Sequence, residues 1–203
     1  MVLMRRFGSM AYREALERMR AFNARRGADT QDELWLLEHP PVFTRGVSCR
    51  LEPHRNPAAI PLVDTDRGGQ ITYHGPGQQI AYLMYDLRRR GQGIRRLVAD
   101  MEQAVIDSLA PLGIDARRRT GAPGVYVDGR KIAALGLRVR AGSTYHGVSV
   151  NIDMDLAPFS WIDPCGLAGL ETVNVAELAA DFDRDAYVDE LAARLAALSG
   201  GRP

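Results

Sequence analysis

Apolar residues recur at helical spacing in three stretches of the chain. Over residues 9–26, Tyr12, Leu16, Met19 and Phe22 fall four and three positions apart, on one face of a helix, with Arg and Glu between them on a solvated face. Gly27 is the expected stop. A second helix is expected from Ile94 to Leu109, with Leu97, Met101, Val105 and Leu109 as its buried stripe. A third, rich in Ala, Leu and Arg, is expected from Ala186 to Leu198. Between these the pattern changes to short runs. Glu33 to Glu38 carries Leu34-Trp35-Leu36-Leu37, an unbroken apolar run suited to a buried strand. His39-Pro40-Pro41 ends it, because proline donates no ladder hydrogen bond. Residues 44–60, with Gly46, Pro53 and Pro57, read as a loop. Strands are expected over 60–63, 70–73 and 79–85, with a turn at His74-Gly75-Pro76-Gly77. Asp128-Gly129 is the expected tight turn of a hairpin over 124–132, which Leu135 to Arg140 extends. Tyr145 to Ile152 alternates towards Val148, Val150 and Ile152, another strand. Helices and strands mix without strict alternation. The reading is a single α+β domain over residues 1–203 with a mostly antiparallel or mixed sheet.

Composition narrows the class. The chain has 203 residues, 46% hydrophobic and 25% charged, globular proportions that exclude disorder and allow a core without disulfide or metal staples. Its 26 basic and 25 acidic residues leave a formal charge of +1, without the basic excess of a dedicated nucleic-acid binder. There is no apolar run of membrane-spanning or signal-peptide length. A soluble, cytoplasmic protein with no membrane association is expected, its two cysteines, Cys49 and Cys165, reduced. Two cysteines are too few for a disulfide framework or a four-thiolate zinc site, and no metal site is expected.

One of the 26 basic residues is a lysine, Lys131. Arginine replaces lysine on a surface but not where chemistry needs an amine that gives up its proton. Lys131 follows the hairpin turn and precedes Ile132-Ala133-Ala134-Leu135-Gly136. Apolar surroundings of that kind disfavour a charged amine and suit a general base or the partner of a thiolate. Cys165 sits in Asp163-Pro164-Cys165-Gly166, a loop setting that favours an exposed, reactive thiol. The glycine after it allows a turn whose N–H groups face an oxyanion. Cys49 has no such setting and reads as a small buried hydrophobe. His74 lies between glycine-rich turns, where the backbone comes close to a ligand. Neither a P-loop nor a dinucleotide fingerprint is present. A thiol with a nearby base is the minimal kit for acyl transfer through a thioester.

Five ordered stretches carry a family resemblance. They are Glu38-His39-Pro40-Pro41-Val42-Phe43-Thr44-Arg45-Gly46, Arg67-Gly68-Gly69 with Thr72-Tyr73-His74-Gly75-Pro76-Gly77-Gln78, Gly129-Arg130-Lys131-Ile132-Ala133, His146-Gly147-Val148-Ser149-Val150-Asn151, and Asp163-Pro164-Cys165-Gly166. Together they resemble the bacterial lipoyl(octanoyl) transferases. The resemblance implies the fold of biotin and lipoate protein ligases, with a larger mixed sheet, a smaller second sheet and flanking helices. It implies that Cys165 carries the acyl group as a thioester, and that Lys131 lowers the thiol's pKa and assists proton transfer. It implies an acyl pocket lined by Arg67, Gly68, Gly69, Gln70, Ile71, Thr72, Tyr73 and His74, by Ala134, Leu135 and Gly136, and by Gly147, Val148 and Ser149. One departure is visible. Many members carry a Thr-Ser pair after the Cys-Gly, whereas Thr172 is followed here by Val173 and Asn174.

The implied reaction moves an octanoyl group from the phosphopantetheine arm of acyl carrier protein to a lysine of a lipoyl domain. The acceptors would be the lipoyl domains of 2-oxo acid dehydrogenase complexes and the glycine cleavage H protein. No further cofactor is expected, and no ATP. Two rivals remain. An ATP-dependent lipoate or biotin ligase of the same fold would leave the Pro-Cys-Gly segment unexplained. A non-catalytic module that binds acylated carrier would keep the pocket but never acylate Cys165. The arginine runs Arg88-Arg89-Arg90, Arg95-Arg96 and Arg117-Arg118-Arg119 read mostly as solvated faces, with one of them a candidate to steer an acidic carrier.

Overall fold

Two mixed sheets and three long helices organise the chain in the computed structural model, which describes residues 1–49, 53, 55–163 and 169–198. The larger sheet has seven strands: β1 (Leu3–Ser9), β2 (Glu33–Glu38), β6 (Gln78–Met84), β7 (Arg117–Arg118), β8 (Val125–Val127), β9 (Arg130–Arg140) and β10 (Ser143–Asn151). Their spatial order is β1-β2-β6-β10-β9-β8-β7. β1 and β2 run parallel and every other neighbouring pair antiparallel. The smaller sheet holds β4 (Leu62–Asp64), β3 (Val42–Arg45) and β5 (Ile71–His74) in that order, with β3–β4 parallel and β3–β5 antiparallel.

The apolar runs explain the layering. Successive residues of a strand point to opposite faces. In β2, Leu34 and Leu36 join one core while Trp35 and Leu37 join another. In β6, Ala81 and Leu83 go one way, and Ile80, Tyr82 and Met84 the other. Against the first face pack α3 (Ile94–Leu109), through Leu97, Met101, Val105 and Leu109, and α5 (Arg184–Ala196), through Tyr187, Leu191 and Leu195. Against the second packs α1 (Tyr12–Arg25), through Tyr12, Leu16 and Met19. A third core lies under the small sheet, where Phe43, Ile71 and Tyr73 meet Phe159 and Ile162; Cys49 is buried in it. The two remaining helices, α2 (Leu87–Arg90) and α4 (Val175–Leu178), are single turns.

The Asp128-Gly129 turn forms as expected, both residues at positive φ (49° and 80°), which matches the twist of the flanking strands. A second such turn, Ala141-Gly142 (φ 52° and 83°), closes β9 onto β10. Besides the short α2 and β7, where only arginine runs were read, three elements lie outside the expectations. β1 has no apolar alternation and is mostly exposed; its parallel ladder to β2 holds it, with the Arg5–Glu33 ion pair and the Phe7 ring against Trp35. β3 starts directly after Pro41, inside the stretch read partly as loop, because the prolines end β2 without preventing a new strand. α4 is a single turn held by an Asn174–Glu177 capping box.

The run Arg88–Arg90 is not a solvated face throughout. The carboxylate of Asp32, itself buried, accepts from Arg89 and Arg90 at 2.6 Å each and from Arg26 as well. Arg117 pairs with Asp115 and Arg118 with Glu102.

Candidate active site

A mostly apolar cavity lies between the two sheets. Its walls come from β5, β6, β9 and β10, from the Arg67–Gln70 loop, and from Tyr12, Phe159 and Thr172. The period of two places the walls: Gln78, Ile80 and Tyr82 on β6 stand beside Asn151, Ser149 and Gly147 on β10. Gly147 lets the two strands meet here, since a Cβ at this position would overlap the Ala81 carbonyl.

Of the residues expected to line an acyl pocket, Arg67, Gly69, Gln70, Ile71, Thr72, His74, Ala134, Leu135, Gly136, Gly147, Val148 and Ser149 line this cavity, and Lys131 joins them. Gly68 and Tyr73 are not among the lining residues. Gly68 donates its N–H to the Leu137 carbonyl (3.0 Å). Tyr73 points to the opposite face of β5 from Thr72 and His74, into the core with Phe43 and Phe159. Arg67 is buried, and its guanidinium donates to the carbonyls of Thr44, Gly68 and Gln70 at 2.7–3.0 Å, which pins the glycine-rich loop to β3. Cys165 lies outside the described residues.

Lys131 is buried on β9. Its Nζ donates to the Pro123 carbonyl (3.2 Å) and stands 5.1 Å from the centre of the Tyr126 ring. The Gly121-Ala122-Pro123-Gly124 loop makes this seat. Gly124 has φ +145°, and a Cβ on it would lie 2.8 Å from Lys131 Cε. The Glu102 carboxylate of α3 accepts the Gly124 N–H at 2.9 Å and fixes the loop from behind. The chain just beyond Cys165 is tied to the same lysine. The Lys131 N–H donates to Glu171 O (2.8 Å), Val173 N–H donates to Lys131 O (3.1 Å), and Thr172 lines the cavity. Thus Thr172 faces the cavity, Val173 enters the core and Asn174 caps α4.

A polar network runs behind the wall. His74 Nδ1 donates to Gln78 Oε1 (2.7 Å), Gln78 Nε2 donates to Asn151 Oδ1 (2.9 Å), and Asn151 Nδ2 donates to Val173 O (3.3 Å). His39 Nδ1 donates to the Met10 carbonyl (2.6 Å), so its Nε2 accepts from the Tyr82 hydroxyl (2.7 Å). Burial holds His39 down to about 4, and pushes His74 and His146 below their ordinary value too, so all three imidazoles are neutral near pH 7. Among the described residues no group of three His, Cys, Asp or Glu is placed to hold a metal, and no helix is long and apolar enough to cross a membrane.

Tyr12, Gln78, Ile80, Tyr82, His146, Asn151, Phe159 and Thr172 also line the cavity, though the sequence reading did not assign them to it. Strand alternation carries the signal for several of them: once Gly147 and Ser149 are placed, Asn151 follows. Phe159 and Thr172 lie outside the long strands and had no such signal.

An apolar cavity with a buried side-chain amine, Lys131, in its wall is set between the two mixed sheets of this α+β fold. Comparison with known proteins gives the class. Residues 11–197 match the lipoyl protein ligase A/B catalytic domain, and the chain belongs to that family. It is 58% identical over 191 residues to an octanoyltransferase of Azoarcus sp. (strain BH72), covering 94% of this chain and 84% of that one. It is 53% identical over 181 residues to an octanoyltransferase of Pseudomonas entomophila, covering 89% and 84%. The chain is an enzyme, an acyltransferase. Among solved structures, a bipartite lipoate protein ligase of Thermoplasma acidophilum shares the fold, with TM-score 0.71, 17% identity and coverage of 95% and 80%. A biotin protein ligase of Aquifex aeolicus does so with TM-score 0.61, 10% identity and coverage of 95% and 68%.

Proposed function

We propose that the protein transfers an octanoyl group from acyl carrier protein to the ε-amine of a lysine on lipoyl domains, through a thioester on Cys165. The observation that carries the reading is the seat of Lys131: the chain's one side-chain amine is buried in the wall of a mostly apolar cavity, hydrogen-bonded through its backbone to the segment that begins six residues after Cys165. The relatives that match nearly the full chain are octanoyltransferases, which supports the acyl group; a structural neighbour whose lipoyl domain is its partner supports the acceptor.

In the first step the Cys165 thiolate attacks the carbonyl of the carrier-bound octanoyl thioester. The carbon–sulfur bond to the phosphopantetheine arm breaks, and the departing thiolate takes a proton held by Lys131. In the second step the acceptor lysine, as a neutral amine, attacks the Cys165 thioester. Its surplus proton passes to the neutral Lys131 amine, an amide forms and the Cys165 thiolate is restored. Thioester exchange is nearly isoenergetic and amide formation runs downhill, so no ATP enters. Burying the chain contributes about 0.8 kcal/mol per CH₂. We place this reaction in the cytoplasm, where the thiol stays reduced. The acceptors are the lipoyl domains of 2-oxo acid dehydrogenase complexes and the glycine cleavage H protein.

The test is turnover with octanoyl carrier protein and an isolated lipoyl domain in a buffer without nucleotide. The proposal expects an octanoylated domain, seen as the corresponding gain in mass. Product that forms only with ATP and free octanoate would replace it with the ligase reading.

A further inference from the structure

Glu102 and Lys131 bond to opposite sides of a single peptide group. The Pro123 carbonyl accepts from Lys131 Nζ at 3.2 Å, and the N–H of Gly124 donates to Glu102 Oε1 at 2.9 Å. That carbonyl and that N–H belong to one planar trans unit and point opposite ways. One orientation of the plane therefore makes both bonds, and turning it over breaks both. The loop's own covalent structure resists such a turn poorly. Gly124 has no Cβ and sits at φ +145°, while the proline ring fixes φ of residue 123 but not its ψ. The Tyr126 hydroxyl donates to Ala122 O at 3.0 Å and so anchors the preceding peptide, not this one. The bond from Gly124 to Glu102 holds the plane.

Glu102 is one of the buried residues of α3, beside Met101 and Val105, where a carboxylate costs solvation unless it is paired and hydrogen-bonded. Besides Gly124 it meets Arg118, whose Nε lies 3.2 Å from Oε2. The Arg118 side chain is exposed and also donates to Ala99 O (2.8 Å) and Gln103 Oε1 (2.9 Å), so its pair with Glu102 contributes little by itself. Bonds in line polarise one another: a carboxylate on the N–H end of a peptide strengthens the carbonyl at the other end as an acceptor.

We propose that Glu102 is a positioning residue for the transfer reaction: through the Pro123–Gly124 peptide plane it holds the Lys131 amine in place, although it touches neither the amine nor the cavity. Its bearing on catalysis rests on the reading of Lys131 as the proton carrier. What the role demands is an acceptor of the right length on α3. The charge and the Arg118 pair are secondary to it.

Two conservative variants separate length from charge. Glu102→Gln keeps the reach and an acceptor oxygen but loses the charge; Glu102→Asp keeps the charge but is shorter by one CH₂. Because the chain has one lysine, ¹³C-lysine labelling of the whole protein gives a single CεH₂ group by NMR. Held between the Pro123 carbonyl and the Tyr126 ring, its two Hε protons lie in different surroundings and give separate signals, which a released side chain averages to one. The wild-type protein and Glu102→Gln are expected to show two signals, and Glu102→Asp one. In steady-state transfer, Glu102→Asp is expected to lower kcat by about tenfold with KM little changed, and Glu102→Gln by no more than about threefold. Two Hε signals with an unchanged kcat in Glu102→Asp would overturn the positioning role, as would the reverse ranking, which assigns the carboxylate to Arg118 instead. A wild-type protein that transfers no octanoyl group would overturn the reaction, while the Hε signals still decide whether Glu102 holds the amine.

Discussion

The chemistry proposed for Lys131 requires an amine that both gives and takes a proton, and its seat is built by glycine. Lys131→Arg keeps a cation in the wall but removes the proton transfer, since guanidinium stays protonated. Steady-state transfer should fall by about a hundredfold or more, with the thermal midpoint little changed. Full activity in this variant would remove the proton-transfer role. Gly124→Ala meets Lys131 Cε and Ala133 O, both within 3 Å of the new Cβ, at a φ that disfavours any side chain. It should cost about 1–3 kcal/mol of stability and lower kcat more than it raises KM, because it displaces the amine without altering the rest of the acyl wall. Urea unfolding with kinetics on the same sample checks both. The lone lysine among arginines was legible in the sequence, and so were the loop and hairpin that bring Pro123 and Gly124 beside it; the brace from Glu102 was not, because it comes from α3, well before the hairpin.

At the scale of elements, the buried carboxylate of Asp32 joins the C-terminal end of α1, the start of β2 and all of α2 through Arg26, Arg89 and Arg90, and it accepts the Asp86 N–H at 3.0 Å. Asp32→Ala would leave three guanidinium groups around an empty site and should cost about 3–5 kcal/mol, read as a lower urea midpoint. A loss below ~1 kcal/mol would show that the cluster is solvated and weak. The same contacts explain why Arg89 and Arg90 are poor candidates for carrier docking. Periodicity revealed α1, α3, α5 and the central strands because each buries a regular stripe. It missed β1, which buries almost nothing, and the Ala141-Gly142 turn, since alanine gives no turn signal. The cavity wall was legible largely through the family motifs, and alternation would have extended it along β6 and β10. Tyr73 went to the other face by that same alternation.

Across the whole molecule, three buried neutral histidines, His74 and His146 in the cavity wall and His39 behind it, make the fold acid-sensitive. His39 is held to about 4 against an ordinary 6.5, so between these values the unfolded chain binds the extra proton and the native state does not. Its contribution is fully present above about pH 6.5 and is lost as pH falls towards 4, roughly 3 kcal/mol over that window. His74 and His146 shift in the same direction. Urea midpoints should fall steadily from pH 7 to pH 4.5, and the fall should be smaller in His39→Gln. A flat profile would mean that these rings are charged in the native state. Where the acyl group rests between donor and acceptor decides the proposed reaction. Intact-mass measurement after incubation with octanoyl carrier protein alone, without a lipoyl domain, tests this most directly. One hydroxylamine-labile octanoyl adduct should appear on the protein and be missing from Cys165→Ala. An unmodified wild-type protein that still octanoylates the lipoyl domain, or a Cys165→Ala protein that does so at the normal rate, would contradict it.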